Sequence, residues 1–272
     1  MIELAGVTFA HDGGAPLFED AALAVAAGEV VLIGAPAGAG ASTLARLLTG
    51  HVLAAGRVAV HGRDLARLRA SSREALRRRL GVVPQELALI DDASALDNVA
   101  LPLEIDGVPR RRRRTRAALA LAAVDVPAAP AVAALPMAAR QRVAWARAFV
   151  RNPDILIADQ PTSHQDADGA ERFAAAVDGL AAAGAACVVL AREPHLVAAA
   201  ARHGWRALSI HERRLVDLDA LATEDVDAAG LVIAEISRPH GPPAVAAPAI
   251  AAADDNVVPF PVGRAASGGH RR

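Results

Sequence analysis

The chain has 272 residues, of which 53% are hydrophobic, and a formal net charge of −1. This balanced charge argues against a general nucleic-acid binder, and no uncharged, proline-free apolar stretch reaches the roughly 18 residues that a membrane span needs. The single cysteine, Cys187, lies in the apolar run ACVVLA. This predicts a buried strand residue and, with no signal peptide at the start, a cytoplasmic protein.

Six short apolar or β-branched runs, bounded by glycine, proline or charge, predict strands. In chain order they are MIELAGVTF, GEVVLIG, GRVAVHG, LGVVPQ, DILIAD and ACVVLAR. Helical patterns are STLARLLTG, SSREALRRRL, VPRRRRRTRAALALAAVDV, ARQRVAWARAFVRN and GAERFAAAVDGLAAAG. Strands that alternate with helices predict an α/β fold with a largely parallel sheet covered on both faces. WRALSIHERRLVDL predicts a closing hairpin.

Two segments stand out by composition. The run from Arg110 to Arg116 is almost entirely arginine. It is interpreted as a solvated helix face, with contact to anionic lipid head groups as the alternative and nucleic-acid binding disfavoured by the lack of interleaved aromatics. Residues 240–272 are rich in Pro, Ala and Gly without a hydrophobic period, which predicts a disordered tail.

The stretch GAPAGAGAST, Gly34 to Thr43, is similar to a phosphate-binding loop between a strand and a helix. In the pattern G-x-x-x-x-G-K-[ST], Gly40-Ala41-Ser42 stands where Gly-Lys-Ser belongs, and Ala35 stands at the first glycine. Backbone amides and the following helix N-terminus still predict an anion-binding nest. The charge of the lysine is absent.

The stretch RNPDILIADQPTSHQD, with Asp159, Pro161, Thr162 and Asp166, resembles the Walker B motif and D-loop of ATP-binding cassette ATPases. LPMAARQRVAWARAFV keeps the frame of that family's signature helix at Leu135, Gln141, Arg142, Val143, Ala144, Ala146, Arg147 and Ala148. LGVVPQELALIDD resembles its Q-loop. The resemblance covers residues 1–217 and is closest to the FtsE-like cell-division, lipoprotein-exporter and macrolide-exporter ATPases.

The resemblance implies a P-loop NTPase-type, mostly parallel sheet with flanking helices, an N-terminal antiparallel β portion and an inserted helical subdomain at about 86–152. Residues 218–239 would form a C-terminal appendage. The implied cofactors are ATP and Mg²⁺, bound weakly because Ala41 cannot place a charge on the phosphates. Ser42, Gln85 and Asp159 would hold the metal.

Nucleotide contacts are implied for a larger set of positions. These are His11, Ala35, Pro36, Ala37, Gly38, Ala39, Gly40, Ala41, Ser42, Thr43, Gln85, Pro136, Met137 and Ala138. His11 would stack on adenine, with an ordinary surface histidine as the alternative. Pro136, Met137 and Ala138 replace the serine and glycines of the signature, which contact ATP held by the opposite subunit of a dimer.

The catalytic positions implied by the resemblance are also changed. Gln160 replaces the glutamate that polarises the attacking water, and an amide cannot accept the proton. Glu193 aligns with the histidine that contacts the γ-phosphate. His195 is interpreted as a surface residue at a helix start rather than as a substitute.

These features predict a nucleotide-binding subunit with little or no ATPase activity. It would dock on an integral membrane subunit at the inner face of the membrane through a groove near Gln85–Gly107, whose apolar residues include Leu87, Leu89 and Ile90. An alternative for these apolar residues is that they only fill the core of the subdomain. Two alternative functions are an active transporter or cell-division ATPase and a soluble interaction protein.

Overall fold

The computed structural model describes residues 1–11 and 13–218. The strands are β1 Ile2–Ala10, β2 Pro16–Val25, β3 Val30–Gly34, β4 Ala55–Val60, β5 Arg63–Asp64, β6 Gly81–Val83, β7 Ile155–Asp159, β8 Ala186–Ala191, β9 Arg206–His211 and β10 Arg214–Asp217. The α-helices are α1 Ala41–Leu48, α2 Ala70–Arg77, α3 Ala95–Ile105, α4 Arg110–Ala123, α5 Met137–Phe149, α6 Ala167–Ala182 and α7 Pro194–Arg202.

The strands form two sheets. A six-stranded sheet has the order β10-β9-β3-β8-β7-β6 and is parallel except for β10, which closes an antiparallel hairpin with β9. A four-stranded antiparallel sheet, β2-β1-β4-β5, is built from the N-terminal part of the chain. The predicted α/β fold, its parallel sheet, its antiparallel N-terminal portion and its closing hairpin are confirmed.

The core lies on both faces of the parallel sheet because successive strand residues point to opposite sides. Val31 and Ile33 of β3 belong to an apolar cluster shared with α1 and the antiparallel sheet. Val30 and Leu32 belong to a second cluster with α3 to α7. Strands buried on both faces read as continuous apolar runs, as in the all-buried VVLIG of β3.

Individual elements depart from the predicted pattern. β2, a ten-residue strand, and β5, a two-residue strand, were not predicted, and of the nine-residue α7 only a helix start near His195 was. Cys187 is fully buried in β8 as predicted, and burial raises the pKa of its thiol to about 12. The predicted disordered tail and nearly all of the predicted appendage lie outside the described residues.

Within the described part of the chain, no helix combines the length and apolar character required to cross a membrane. Between β6 and β7 lie three α-helices, α3, α4 and α5, in the segment where an inserted helical subdomain was predicted. α3 and α4 pack on each other and both pack on α5. This helical layer connects to the parallel sheet through the residues on either side of it.

Candidate functional site

The loop that joins β3 to α1 lies at the carboxyl edge of the parallel sheet, between the ends of β8 and β9. Gly38 and Gly40 have φ angles of 83° and 98°, a backbone conformation that favours glycine. A Cβ at Gly40 would lie 3.0 Å from Cζ of Phe18, so the loop also packs tightly against β2. The glycines allow the chain to turn closely before α1 begins.

The N-terminus of α1 is open toward solvent-accessible space. Its N-cap is Gly40, which carries no capping side chain, and the Leu44 amide makes the first intrahelical bond, 2.8 Å to the Gly40 carbonyl. The preceding amides of the first turn have no intrahelical acceptor in any α-helix. Together with the positive end of the helix dipole, they form a favourable environment for an anion.

A cavity of about 460 Å³ lies over this loop. Eleven of the predicted site residues line it: His11, Ala35, Pro36, Ala37, Gly38, Gly40, Ala41, Ser42, Thr43, Gln85 and Gln160. Ala39 does not line the cavity but packs partly against the core. His11 lies with Nε2 3.5 Å from the Thr43 hydroxyl and its ring edge-on to Phe9. Four further lining residues were not predicted: Leu17, Leu190, Ala191 and Arg192.

Oxygen donors suited to a hard cation lie together beside the loop. The Ser42 hydroxyl donates a hydrogen bond of 3.0 Å to Oε1 of Gln85. Asp159, at the end of β7, is only 5% exposed, and its Oδ1 has no hydrogen-bond partner. Burial raises the pKa of Asp159, and the Ser42 hydroxyl partly opposes this shift. A hydroxyl, an amide oxygen and an orphaned buried carboxylate oxygen fit Mg²⁺, which prefers oxygen ligands.

Gln160 follows Asp159 on the same edge of the sheet. Its backbone is left-handed, with φ of 48°, and its amide donates to the Leu190 carbonyl at 2.8 Å. This turn places Gln160 on the cavity lining. The side chain there offers an amide, which neither accepts a proton from water nor carries a charge.

After β8, Glu193 was predicted from the resemblance to occupy the position of the γ-phosphate histidine, and this stays a prediction. Glu193 is the N-cap residue of α7, and its Oε2 accepts a 3.0 Å bond from the Arg192 amide. Burial raises the pKa of Glu193, and the nearby Asp159 carboxylate adds to the shift. Arg192, not Glu193, lines the cavity. His195 is exposed in the first turn of α7, as predicted.

The predicted signature residues lie at the start of α5, away from the cavity of the same chain. Pro136 is the N-cap residue without a side-chain cap, and Met137 is 45% exposed. The buried Gln141 then ties α5 to the segment after β7. It donates to the Gln160 carbonyl at 3.2 Å and accepts from the His164 amide at 3.1 Å.

The segment after Gln85 is held in place by two polar side chains of the helical layer. Arg147 of α5 donates to the carbonyls of Leu87 and Ala88 at 2.6 and 2.7 Å. The fully buried Asn98 of α3 pairs with the backbone of Ile90 through both its amide nitrogen and its oxygen. These hydrogen bonds hold the backbone of the loop after Gln85 against α3 and α5.

The apolar residues of this loop divide between the two interpretations made from the sequence. Leu87 and Leu89 pack partly against the core, as the core-filling alternative predicts. Ile90 is 49% exposed. In the basic run, Arg113 and Arg114 pair with carboxylates of α3 and Arg116 donates to a carbonyl, which agrees with a solvated helix face.

A family model described as ABC transporter matches residues 18–163, more than half of the chain. The chain belongs to the ABC transporter family. It is 37% identical to the lipoprotein-releasing system ATP-binding protein LolD of Chromohalobacter salexigens over 71% of this chain and 82% of LolD. It is 34% identical to the cell division ATP-binding protein FtsE of Streptococcus pneumoniae serotype 2, over 62% and 74%.

The chain spans a smaller share of the length of other ABC-family relatives. The methionine import ATP-binding protein MetN of Caulobacter vibrioides is 37% identical over 62% of this ABC-family chain, which spans 52% of MetN. The chain spans 65% of the LolD protein of Ruegeria sp.. Among solved structures, the ABC transporter cassette MJ0796, described as dimeric, superimposes with a TM-score of 0.72 at 29% identity over 79% of this chain and 96% of that one.

Proposed function

We propose that the chain is the nucleotide-binding subunit of an ABC-transporter-type complex, that it docks on an integral membrane partner, and that it binds Mg-ATP weakly with little or no hydrolysis. Its role would be to scaffold or regulate that partner at the inner face of the membrane. The proposal combines family membership with the chemistry of the cavity residues.

Retention of nucleotide binding is supported by the loop and its oxygen donors. The amides at the start of α1 would contact phosphate oxygens, and Ser42, Gln85 and Asp159 would hold Mg²⁺ directly or through water. When bound, Mg²⁺ would neutralise phosphate charge. The methyl group of Ala41 contributes no charge, and loss of one partner of a buried charge pair costs about 2–5 kcal/mol.

Loss of hydrolysis is the inference carried by Gln160. This residue lies on the cavity wall, next to Asp159, where a carboxylate would be needed to accept a proton from water. Loss of a general base lowers a rate by about 10²- to 10⁴-fold. The observation that carries the proposal is this pairing of an intact metal-donor group with an amide at the adjacent position.

The proposed dimer would compound the loss. Solved cassettes with this fold are described as dimers, one of them bound to ADP and Pi. In such an assembly the start of α5 would face the partner's cavity. Here Pro136 offers no hydroxyl and Met137 adds bulk where the backbone must approach phosphate closely. Each composite site in a homodimer would therefore combine two altered halves.

Docking on a membrane partner is supported by the clamped segment after Gln85. A rigid loop with an exposed apolar tip at Ile90 fits an amphipathic partner helix laid into a groove. Retention of this support while the catalytic positions change is what a scaffold requires. The groove near Gln85–Gly107 is the proposed contact.

The test of hydrolysis is a steady-state ATPase assay on the purified full chain, alone and with its membrane partner. We expect the wild-type rate to equal that of Asp159→Asn, a variant that removes the metal-binding charge while keeping nearly the same side-chain volume. A Mg²⁺-dependent rate above background that Asp159→Asn abolishes would show an active ATPase instead.

A further inference from the structure

Arg192 places a positively charged side chain at the cavity over the phosphate-binding loop. It follows Ala191, the last residue of β8, which pairs in register with Gly34, the last residue of β3. Arg192 and Ala35 therefore each follow a residue of this last strand pair, and both line the cavity. Ala41 and Ser42 line the same cavity.

The guanidinium of Arg192 makes no close polar contact within the described structure, and its charge acts on the neighbouring Glu193 carboxyl by lowering that group's pKa against the effect of burial. The backbone amide of Arg192 bonds to Glu193, but the side chain makes no ion pair or hydrogen bond with any described residue. Two other arginines use their guanidinium groups in hydrogen bonds within the protein. Arg147 donates to two carbonyls, and Arg151 donates to Asp106 and to two carbonyls. Arg192 is exposed, so its guanidinium is accessible to a ligand in the cavity.

Few basic side chains are available at the cavity to pair with phosphate. No lysine occurs anywhere in the chain. Arg192 is the single arginine among the described lining residues, and His11 is the only other basic side chain there. Two carboxylates, Asp159 and Glu193, lie close together nearby. Mg²⁺ held by Ser42, Gln85 and Asp159 would offset part of the charge of a triphosphate, and Arg192 is the side chain positioned to offset more of it.

We propose that Arg192 is the phosphate-binding cation of this cavity and that it contacts the terminal phosphates of a bound nucleoside triphosphate in place of a lysine at position 41. This inference rests on the proposed nucleotide binding and specifies how it is achieved. A planar guanidinium forms bidentate hydrogen bonds with phosphate oxygens, which a single ammonium cannot reproduce. The cation approaches from β8 instead of from α1.

If Arg192 contacts the phosphates, it should strengthen binding of ATP but not of adenosine. Removing the guanidinium weakens binding of ATP but leaves adenosine, which lacks phosphates, unaffected. Equilibrium binding to the full chain, measured by calorimetry with ATP and Mg²⁺ and separately with adenosine, tests this. We expect Arg192→Gln to lower ATP affinity by about tenfold or more, as for loss of a charge-assisted bidentate contact.

Two matched variants sharpen the experiment. Arg192→Lys keeps the charge without the bidentate geometry, so its ATP affinity should fall between those of wild type and Arg192→Gln. Arg110→Gln removes the same charge from an exposed position on α4, outside the cavity lining, and should bind ATP as wild type does.

The outcomes separate this inference from the proposed function. If wild type binds ATP and Arg192→Gln binds it equally well, Arg192 is not the phosphate cation, and nucleotide binding stands. An equal loss for Arg192→Gln and Arg110→Gln also overturns the assignment, because it reflects overall charge. If wild type binds no ATP at millimolar concentration, both the nucleotide-binding part of the proposed function and this inference fail.

Discussion

At position 41 an alanine stands where the phosphate-loop motif has a lysine, so the loop lacks that positive charge. Ala41 is the first residue of α1, and its methyl group packs partly against the core beside the loop. A lysine at this position would start from the same backbone, whose preceding Gly40 already has the left-handed geometry of a close turn. The loop therefore forms its turn without a charged side chain at position 41.

We predict that Ala41→Lys raises Mg-ATP affinity by about tenfold, equivalent to ~1.4 kcal/mol, through a new ammonium–phosphate contact. It should not restore hydrolysis, because Gln160 still cannot accept a proton. Calorimetry on the full chain measures the first effect and an ATPase assay the second.

Coupling between positions 41 and 192 provides the control. If both cations contact the same phosphates, the gain from Ala41→Lys should be larger in the Arg192→Gln background than in wild type, because neighbouring contacts are not additive. No gain in either background would mean that the loop does not cradle phosphate.

The residue-level site was only partly predictable. Pattern matching brought Ser42, Gln85 and Asp159 together correctly, since the first two are hydrogen-bonded and Ser42 influences the Asp159 carboxyl. Arg192 was not predicted, because the resemblance assigned the phosphate-facing position after β8 to Glu193. Which of two consecutive residues after β8 faces the cavity depends on how α7 begins, and the sequence alone did not show that Glu193 is its N-cap residue.

At the scale of elements, α6 is linked to the end of α7 by a charged network. His203 contacts Asp178 through Nδ1 and Glu171 through Nε2, the latter at 2.7 Å. Trp205 Nε1 donates to Asp178 at 2.7 Å, and Arg202 donates to Glu171 at 2.6 Å. The hydrogen bond to Asp178 is the largest cause of a raised His203 pKa, and Glu171 adds to it, while burial opposes both.

This network predicts a pH-dependent contribution to stability. A histidine whose pKa is raised on folding stabilises the native state fully below its unfolded value, about 6.5, and this contribution is lost as the pH rises through the folded pKa. His203→Gln should therefore lower the free energy of unfolding by ~1 kcal/mol at pH 6, a modest value because Glu171 is partly exposed. The difference from wild type should shrink by pH 9.

Urea unfolding of both proteins at the two pH values measures this difference. His195→Gln is the matched control, since His195 is an exposed histidine on the same helix. It should leave the pH dependence of wild type unchanged. A His203→Gln effect that is equally large at pH 9 would mean that packing, not the charged network, is responsible.

Elements with a clear period were predictable, and those without one were not. β2 begins with a proline, contains Asp20 with a φ of 52°, and pairs with β1 through several register shifts. These irregularities break the alternation by which a half-buried strand is recognised. α7 is short and alanine-rich, so its apolar face depends on packing against α6 rather than on a strong sequence pattern.

At the scale of the whole molecule, the polar contacts of α5 connect the cavity edge to the proposed docking surface. Gln141 holds the segment after β7, and Arg147, nearly two turns further along the same helix, holds the loop after Gln85. The sequence predicted both residues as part of a motif. Their joint role required the structure, because these partners are backbone carbonyls and a backbone N–H, which no sequence pattern specifies.

The docking surface can be tested through Ile90, whose side chain is half exposed. Leu89 is a poorer choice, because it packs partly against the core and a charge there would disturb folding. We predict that Ile90→Glu releases the full chain from membranes that contain its partner, because apolar burial is lost and a charge is inserted. The ratio of membrane-bound to free protein should fall at least tenfold, equivalent to about 1.4 kcal/mol. Membrane co-sedimentation measures the ratio.

Leu53→Glu is the matched control, since Leu53 is 44% exposed, acquires the same charge and lies beside β1 instead of the clamped loop. It should remain bound, as should Asp159→Asn if docking is independent of nucleotide. Circular dichroism should show Ile90→Glu to be folded, because Asn98 holds the loop through the Ile90 backbone and not its side chain. Localisation that depends on Asp159 and not on Ile90 would replace the scaffold with a nucleotide-driven subunit, since only a bound metal and nucleotide could transmit that change to the membrane.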